Sequence, residues 1–532
     1  LYYPKRKPSA FFFVFLIGIG MFPLQKLVNQ PRLIALLAGL IFPLAIAPFF
    51  IWPIVILSLL GLLFSLDNST AKEAAFRTWL FGLGKFSVGV SWIYVSMNSH
   101  GGTPAILAIL MVGLFAAFLA TFPALFMYFF QRFYNHDKSS SLVTILAFSS
   151  LWFLYEWFRS WIMTGFPWLF AGDAQLHTWL NGWAPILSVY GLSFLTALSA
   201  AAIYFSAKKK QPSYLALLIV WPLGLILQSI SWTSVSDELK VSAVQGNIAQ
   251  EIKWLPEQRG PTINAYLDQT RQHWDSDIIL WPETAVTVLK DQFQSYLDTI
   301  NQEAINNQTA LITGIPYRYT EGPFKGEFHN SILAIGMGGG LYHKQKLVPF
   351  GEYIPLEQAI RGLLPFFDLP MSSFKKGDPS QELLKVEKKD SLFLIAPFIC
   401  YEIVYPEFVA DMAKDADLLI TISNDAWFGD SLGPKQHMAI AQMRALETQR
   451  YLLRSTNTGI TALVNHKGKI VKQLPTEKRA TLTAYAQTRQ GLTPFMQFGL
   501  WPLLLMSLLI LSLGMWKYRL FTDTLNKKKV PA

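Results

Sequence analysis

Apolar positions fall into long uncharged runs at about residues 33–66, 105–131, 140–155, 184–206, 211–235 and 490–516. A further apolar run at 78–97 is interrupted only by Lys85. A membrane-crossing helix needs roughly 20 apolar residues, so each run is a candidate span. The first is long enough for two passes, and Pro48 and Pro53 in APFFIWP mark a tight reversal within it. The pattern predicts about eight spans, seven before a long polar block at 236–492 and one after it.

Inside that block the periodicity changes. VSAVQ, DIILW, ALITG, SILAIG, LFLIAPFIC, LLITIS and ITALVN are short β-rich runs separated by helical or polar stretches. Runs this short and apolar suit strands buried between layers, so the block predicts one α/β domain with its sheets sandwiched by helices. The expected organisation is an N-terminal segment at 1–30, a seven-span membrane domain at 31–235 and the α/β domain at 236–492. A transmembrane helix at 493–516 and a basic tail at 517–532 follow.

Composition sharpens the picture. With 52% hydrophobic and 15% charged residues, the 532-residue chain is too apolar for an ordinary soluble domain, where about a quarter is charged. The net charge of +10 suggests nucleic acid until it is divided by position. Residues 236–492 hold 26 Lys and Arg against 29 Asp and Glu, and the rest holds 19 against 6. The basic excess lies outside the polar block, which excludes a nucleic-acid reading and leaves membrane orientation as its meaning.

Lys and Arg are retained on the cytoplasmic side of a bilayer. Lys26 and Arg32, Lys72 and Arg77, Arg132 and Lys138, Lys208, Lys209 and Lys210 fall on every second connection. The tail, with Lys517, Arg519, Lys527, Lys528 and Lys529, continues the series, and the loops at 48–51 and 98–104 carry neither residue. Arg159, at the outer end of the fifth span, is the one exception. Both termini are expected in the cytoplasm and 236–492 outside it. FFFVFLIGIGMFPL is only 14 residues long and no A-x-A site follows, so the opening segment reads as upstream of a true start at Met21.

Two intramembrane features stand out. Lys85 within a span is costly unless it faces protein or water, and Glu156 is its expected partner; a substrate contact is the alternative. The segment 160–184, with SWIMTGFPWL, reads as an interfacial aromatic belt, with a lipid-entry lining as the second reading.

The polar block carries reactive residues at strand ends. Glu283 follows the strand ending at Trp281, Lys344 and Glu352 flank a turn in YHKQKLVPFGEYIP, and Cys400 closes FICYE before Tyr401 and Glu402. Cys400 is the single cysteine, so it forms no intramolecular disulfide and is either a buried filler or a nucleophile. A thiol needs a base and a positive neighbour to react near neutral pH, and Glu and Lys supply both without a histidine. His437 and the other histidines lack partners at metal-ligand spacing, so no metal is expected. GMGGG at 336–340 reads as a hairpin turn rather than a phosphate loop. NDAWFG shapes either the pocket or a turn, and RALETQRYLLR reads as a helix carrying spaced ion pairs.

Glu, Lys and Cys in this chain order resemble the triad of the nitrilase, or carbon-nitrogen hydrolase, superfamily. QGNI with Trp254, LWPET, KLVPFGEYIPLE, FFDLPMSSF, ICYE, TISNDAWFGDS, RALETQR, LLRSTNTGIT and GLTPF resemble, within it, the bacterial apolipoprotein N-acyltransferases over nearly the whole chain from about residue 30. The resemblance implies an α/β/β/α sandwich on the outer face of the inner membrane. It implies acyl transfer from a phospholipid, typically phosphatidylethanolamine, to the α-amino group of the diacylglyceryl-cysteine of an apolipoprotein. Glu283 would be the general base, Lys344 the oxyanion cation and Cys400 the nucleophile that becomes a thioester, with Trp254, Glu352, Tyr401 and Glu402 supporting them. Glu352 would orient Lys344 and Glu402 would buttress the Cys400 turn. LLPFFDLPM, at 363–371, is an unusual apolar patch for a soluble surface and reads as a lid or membrane-resting loop beside a bilayer. The resemblance brings no cofactor and a monomer. A membrane-tethered amidase releasing its acyl group to water, and a non-catalytic binding sandwich, are the competing readings.

Overall fold

The computed structural model describes residues 30–135, 140–349, 351–353 and 374–527. The opening segment with Lys26, Lys138, the segment LLPFFDLPM expected as a lid or membrane-resting loop, and the last residues of the tail lie outside them.

The first apolar run folds as two helices, α1 (Pro31–Ile41) and α2 (Pro53–Ser65), around the expected reversal, each with proline in its first turn. Proline at that position removes only an N–H that would have no intrahelical partner. α3 (Ala71–Gly89) begins at Thr70, whose hydroxyl accepts from the Glu73 N–H, and breaks by 49° before a further apolar helical segment. α4 (Ala105–Phe133), α5 (Ser141–Trp161), α6 (Ala184–Lys209) and α7 (Val220–Leu227) complete the bundle before the polar block. Among the described residues, four helices are long and apolar enough to cross a membrane: Ala105–Phe133, Ser141–Thr164, Trp179–Lys209 and Trp501–Tyr518. The bent pair makes a fifth, and Pro31–Ala45, Pro53–Ser65 and Pro212–Leu227 are shorter apolar helices.

Lys85 sits on α3, fully buried. Its Nζ donates to Tyr155 Oη at 2.8 Å, lies 3.6 Å from Glu156 Oε1 and rests 4.1 Å above the Phe42 ring. The expected partner is therefore in place, and the site is closed to lipid. Glu156 Oε1 also accepts from Trp152 Nε1 and the Ala171 N–H. Removing one member of a buried pair strands the other, whereas removing both charges is far milder. Lys85→Met should therefore lower the thermal unfolding temperature in detergent more than the Lys85→Met, Glu156→Gln double variant. A double variant less stable than the single would show that the pair is not coupled. The exceptional Arg159 is also buried and spends its guanidinium on the carbonyls of Phe166 and Trp168.

The polar block is a double-sheet sandwich. Its strands are β1 (Ser234–Gln245), β2 (Ile278–Leu280), β3 (Ala310–Arg318), β4 (Phe328–Gly336), β5 (Gly338–Gly339) and β6 (Leu341–His343). They continue as β7 (Leu384–Lys388), β8 (Ser391–Ile399), β9 (Leu418–Ser423), β10 (Leu452–Thr456), β11 (Ala462–Val464), β12 (Ile470–Gln473) and β13 (Ala480–Gln490). One sheet runs β13-β1-β2-β3-β4-β6 and the other β12-β11-β10-β9-β8-β7-β5. β1, β2 and β3 are parallel neighbours, as are β8, β9 and β10, which places the ends of these strands on common edges.

The residues facing inward from both sheets, including Val241, Leu280, Ile312, Ile332, Ile395, Ile420 and Leu453, form one core between them. Helices α8 (Arg259–Arg271) and α9 (Gln294–Asn306) cover the outer face of the first sheet. α10 (Gly433–Thr448) covers the second and is buried on both sides, because the membrane bundle packs against its far face. Trp168 Nε1 donates to Gln436 Oε1 at 2.7 Å, and Glu447 Oε1 accepts from Ser188 Oγ and the Val189 N–H where α6 breaks at Ser188. Of RALETQRYLLR, expected as one helix, only 444–448 is helical, with Arg444 and Glu447 paired but enclosed rather than solvated; Gln449 turns left-handed and Leu452 opens β10, because LLRST is buried as a strand between β9 and β11. The last helix, α11 (Trp501–Lys527), returns to the bundle, where Tyr134 Oη bonds the Leu511 carbonyl.

Candidate active site

Three strand ends meet at one buried cluster. β2 ends at Leu280, and Trp281 anchors the exit by stacking on Tyr266 and donating to Thr270. The chain then passes hard against β3 at Gly314, where an added Cβ would lie 2.6 Å from the Thr284 nitrogen and 2.8 Å from Glu283 Cα. Only glycine permits that approach, and it sets where Glu283 begins. Lys253 completes the mount: fully buried, its Nζ donates to the Glu283 carbonyl at 3.1 Å and Thr284 Oγ1 at 2.8 Å. Burial pulls the Lys253 ammonium down to about 8, against the attraction of Glu283.

The Glu283 carboxylate accepts from Asn330 Nδ2 at 2.8 Å and from the Asn424 N–H at 2.8 Å. Lys344, just past β6, reaches to 3.7 Å from Glu283 Oε1 and donates to Glu352 Oε1 at 2.8 Å. Asn330 Nδ2 also donates to Glu352 at 3.1 Å, and the Val348 N–H holds the other Glu352 oxygen. Burial opposes the Lys344 charge, but Glu352 and Glu283 outweigh it and hold the ammonium above its ordinary range. Lys344 is therefore a permanent cation.

Cys400 follows β8 and opens the short turn Cys400–Val404 with φ of +50°. A left-handed residue there turns the chain sharply and persists only when its surroundings enforce it. Glu402 is the enforcer, since its buried carboxylate accepts from the Ile399 N–H behind the turn at 2.8 Å. It also accepts from the Gln345 and Lys346 N–H groups and from Tyr342 Oη across it. One carboxylate thus ties the cysteine turn to the lysine loop. Burial pushes the Cys400 thiol well above its ordinary value, Glu283 adds to the rise and Lys344 opposes it.

Behind the cysteine lies a second network. His437 Nε2 is 3.1 Å from the Cys400 carbonyl, and its Nδ1 is 3.2 Å from Asp425 Oδ1. Arg454 donates to Asp425 Oδ2 at 2.7 Å. Burial works against the Asp425 charge, but Arg454 and His437 outweigh it and hold the carboxyl at about 2. Cys400, Asp425 and His437 bring one potential ligand atom each within 4.8 Å of one another. Both Asp425 oxygens and the His437 Nε2 are already engaged within the protein, so this set is a structural brace rather than an open coordination site.

The structure thus brings Glu283, Lys344, Glu352, Cys400 and Glu402 together. Tyr401 follows the cysteine, but its side chain points away toward the membrane bundle, where its hydroxyl meets the Gly165 carbonyl. Trp254 is 37% exposed, while its neighbour Lys253 turns inward. Lys253 and Asn330 escape the sequence reading; Asn424 and Asp425 belong to NDAWFG, the segment expected to shape the pocket or a turn, and Asn424 meets Glu283 while Asp425 joins His437 and Arg454 in the brace. Lys253 adjoins a residue already singled out, and Asn330 opens the apolar run of β4; neither position carries a pattern that announces burial.

Residues 38–202 match the family model described as apolipoprotein N-acyltransferase N-terminal domain, and residues 240–491 match the carbon-nitrogen hydrolase model. The apolipoprotein N-acyltransferase of Pseudomonas paraeruginosa is 46% identical over 481 residues, covering 89% of this chain and 93% of that one. That of Pseudomonas putida is 45% identical, covering 90% and 95% respectively. That of Vibrio vulnificus is 40% identical, covering 91% and 96%. Both halves of the chain match together and nearly the full length of each relative is covered, so the chain belongs to the apolipoprotein N-acyltransferase family.

Proposed function

We propose that this protein is a membrane-embedded acyltransferase that moves an acyl chain from a phospholipid to the α-amino group of the S-diacylglyceryl-cysteine of an apolipoprotein. Phosphatidylethanolamine is the proposed donor. The observation that carries the reading is the convergence of Glu283, Lys344 and Cys400 in one buried site on a domain packed against an apolar helical bundle.

The electrostatics assign the roles. A thiol held high does not ionise at rest, so Cys400 gives its proton to Glu283 as Sγ attacks the ester carbonyl. Lys344, cationic throughout, faces the oxyanion, with the Tyr401 N–H as second donor. Collapse breaks the ester C–O bond, the lysophospholipid oxygen takes the proton from Glu283, and a thioester remains. The acceptor amine then loses a proton to Glu283 and attacks the thioester, and the departing sulfur recovers a proton. The ester is already activated, so the balance calls for no ATP or coenzyme A. Glu352 orients Lys344 and Glu402 fixes the turn; Trp254, on the surface beside Lys253, belongs to the substrate approach.

Four long helices, one bent pair and three shorter apolar helices support eight passages of the membrane. With the alternating Lys and Arg loops they support both termini in the cytoplasm of a bacterial inner-membrane protein. Residues 236–492 then form a periplasmic domain, with 31–235 before it and 493–516 as the returning span. A monomer suffices, since one chain supplies every group named.

Incubating the purified protein with phosphatidylethanolamine should add one acyl mass to the Cys400 peptide, and a diacylglyceryl-cysteinyl peptide should discharge it as an N-acyl product. Discharge to water at the same rate without that peptide would instead identify an amidase-like hydrolase. N-acylation that persists in Cys400→Ala would sink the mechanism.

A further inference from the structure

Three tyrosine hydroxyls from the catalytic domain converge on one turn of the membrane bundle. Tyr353 Oη donates to Thr164 Oγ1 at 2.8 Å, Tyr405 Oη to the Thr164 carbonyl at 2.9 Å and Tyr401 Oη to the Gly165 carbonyl at 3.3 Å. Each belongs to a segment that carries a site residue. Tyr401 follows Cys400, Tyr405 closes the same turn, and Tyr353 follows Glu352. The rings of Tyr401 and Tyr405 meet edge to face at 5.4 Å, so these two donors act as a unit. Burial holds all three phenols above their ordinary range, which keeps them donors.

The turn they grip is built against local preference. Met163 and Thr164 both have positive φ, +51° and +73°, and Gly165 follows at +81°. Consecutive left-handed residues, one of them β-branched, do not persist unless the surroundings over-determine them. A Cβ on Gly165 would lie 1.9 Å from the Ser160 carbonyl, so the chain folds tightly back on the end of α5. Arg159 then clamps the following carbonyls of Phe166 and Trp168. Beyond the clamp, Trp168 meets Gln436, and its ring lies tilted 5.9 Å from that of His437, whose Nε2 faces the Cys400 carbonyl. The turn therefore reaches the cysteine from two sides.

We propose that the knuckle at residues 163–165 is a positioning element through which the membrane bundle sets the Cys400 turn and the Glu352 loop, with Tyr353, Tyr401, Tyr405 and Thr164 as its contacts. It rests on the reading of Cys400 as nucleophile. The bundle, on this account, completes the active site as well as anchoring it. No tyrosine in the set need touch substrate.

Single-turnover acylation of the full-length protein by phosphatidylethanolamine vesicles, together with alkylation of Cys400 by iodoacetamide, tests the proposal. Cys400 is the sole cysteine, so the alkylation signal belongs to it alone. Tyr405→Phe and Tyr353→Phe each remove one hydroxyl and keep the ring. Each should slow acylation by about three- to tenfold, the factor of one neutral hydrogen bond felt at the reacting geometry. Alkylation should slow in parallel, with KM for phospholipid and the unfolding temperature unchanged. Thr164→Val with Tyr353→Phe removes the same bond twice and should be no slower than either single variant. Parental rates in both Phe variants would overturn the proposal. So would a loss confined to KM, a loss that tracks the unfolding temperature, or additivity in the double variant. If the parent forms no acyl-enzyme yet its alkylation still depends on the tyrosines, the functional reading fails and the knuckle stands.

Discussion

Glu283→Gln should lower the rate at which phospholipid acylates Cys400 by about a thousandfold, within the range general-base catalysis supplies. The amide keeps the shape and can still accept from the Asn424 N–H, but it has no basic oxygen to take the thiol proton. Raising the pH should not rescue it over the usual working range. Burial holds the Cys400 thiol well above its ordinary value, so hydroxide cannot produce a useful thiolate fraction by pH 9. The rates of variant and parent should therefore stay separated from pH 6 to 9 in a single-turnover assay. Recovery of the variant toward the parental rate at pH 9 would show that the thiol ionises independently of Glu283.

Glu402→Ala should damage stability and rate together. The carboxylate is the common acceptor for three backbone N–H groups and Tyr342 Oη in a fully buried position. Each buried donor left without a partner costs about 1–3 kcal/mol, and a water entering the vacated space recovers part of it. A net loss of about 3–5 kcal/mol follows, in line with breaking a buried polar network. In detergent the unfolding temperature should fall by several degrees and Cys400 alkylation should lose its parental rate even well below unfolding. Glu402→Gln, which retains one acceptor oxygen, should lie between. An alanine variant with parental alkylation kinetics would remove Glu402 from any role at the cysteine turn.

Much of this was legible in one dimension because two different periodicities write different things. Uncharged runs and alternating Lys and Arg loops carry the bundle, and short β-rich runs carry β1, β2, β3, β4, β8, β9 and β11. β13 did not stand out, since TLTAYAQTRQ alternates small and polar residues on a strand with a partly exposed face. The 211–235 run reads as one span, yet its helix ends at Leu227 and the chain enters β1 at Ser234.

The candidate site was legible where a residue of the proposed triad follows a strand, as Glu283 and Cys400 do. It was not legible for Asn330, which links Glu283 to Glu352 only because β4 lies beside both. Nor could sequence show that Tyr401 serves the bundle, since its partner Gly165 is brought near by packing of a separate domain. Arg159 reads as a misplaced charge until burial reveals the carbonyls it holds, whereas Lys85 has its partner Glu156 legible in the sequence.

The register Ser234↔Gln490 pairs the first residue of the first strand with the last residue of the last. The catalytic domain thus leaves and rejoins the bundle at a single hydrogen-bonded doorway. Seen from the bundle, the excursion has almost no end-to-end length, which is the condition for grafting one folded unit into another without stretching either. The architecture is that of a cassette: the sandwich is set into the helical scaffold at this one seam.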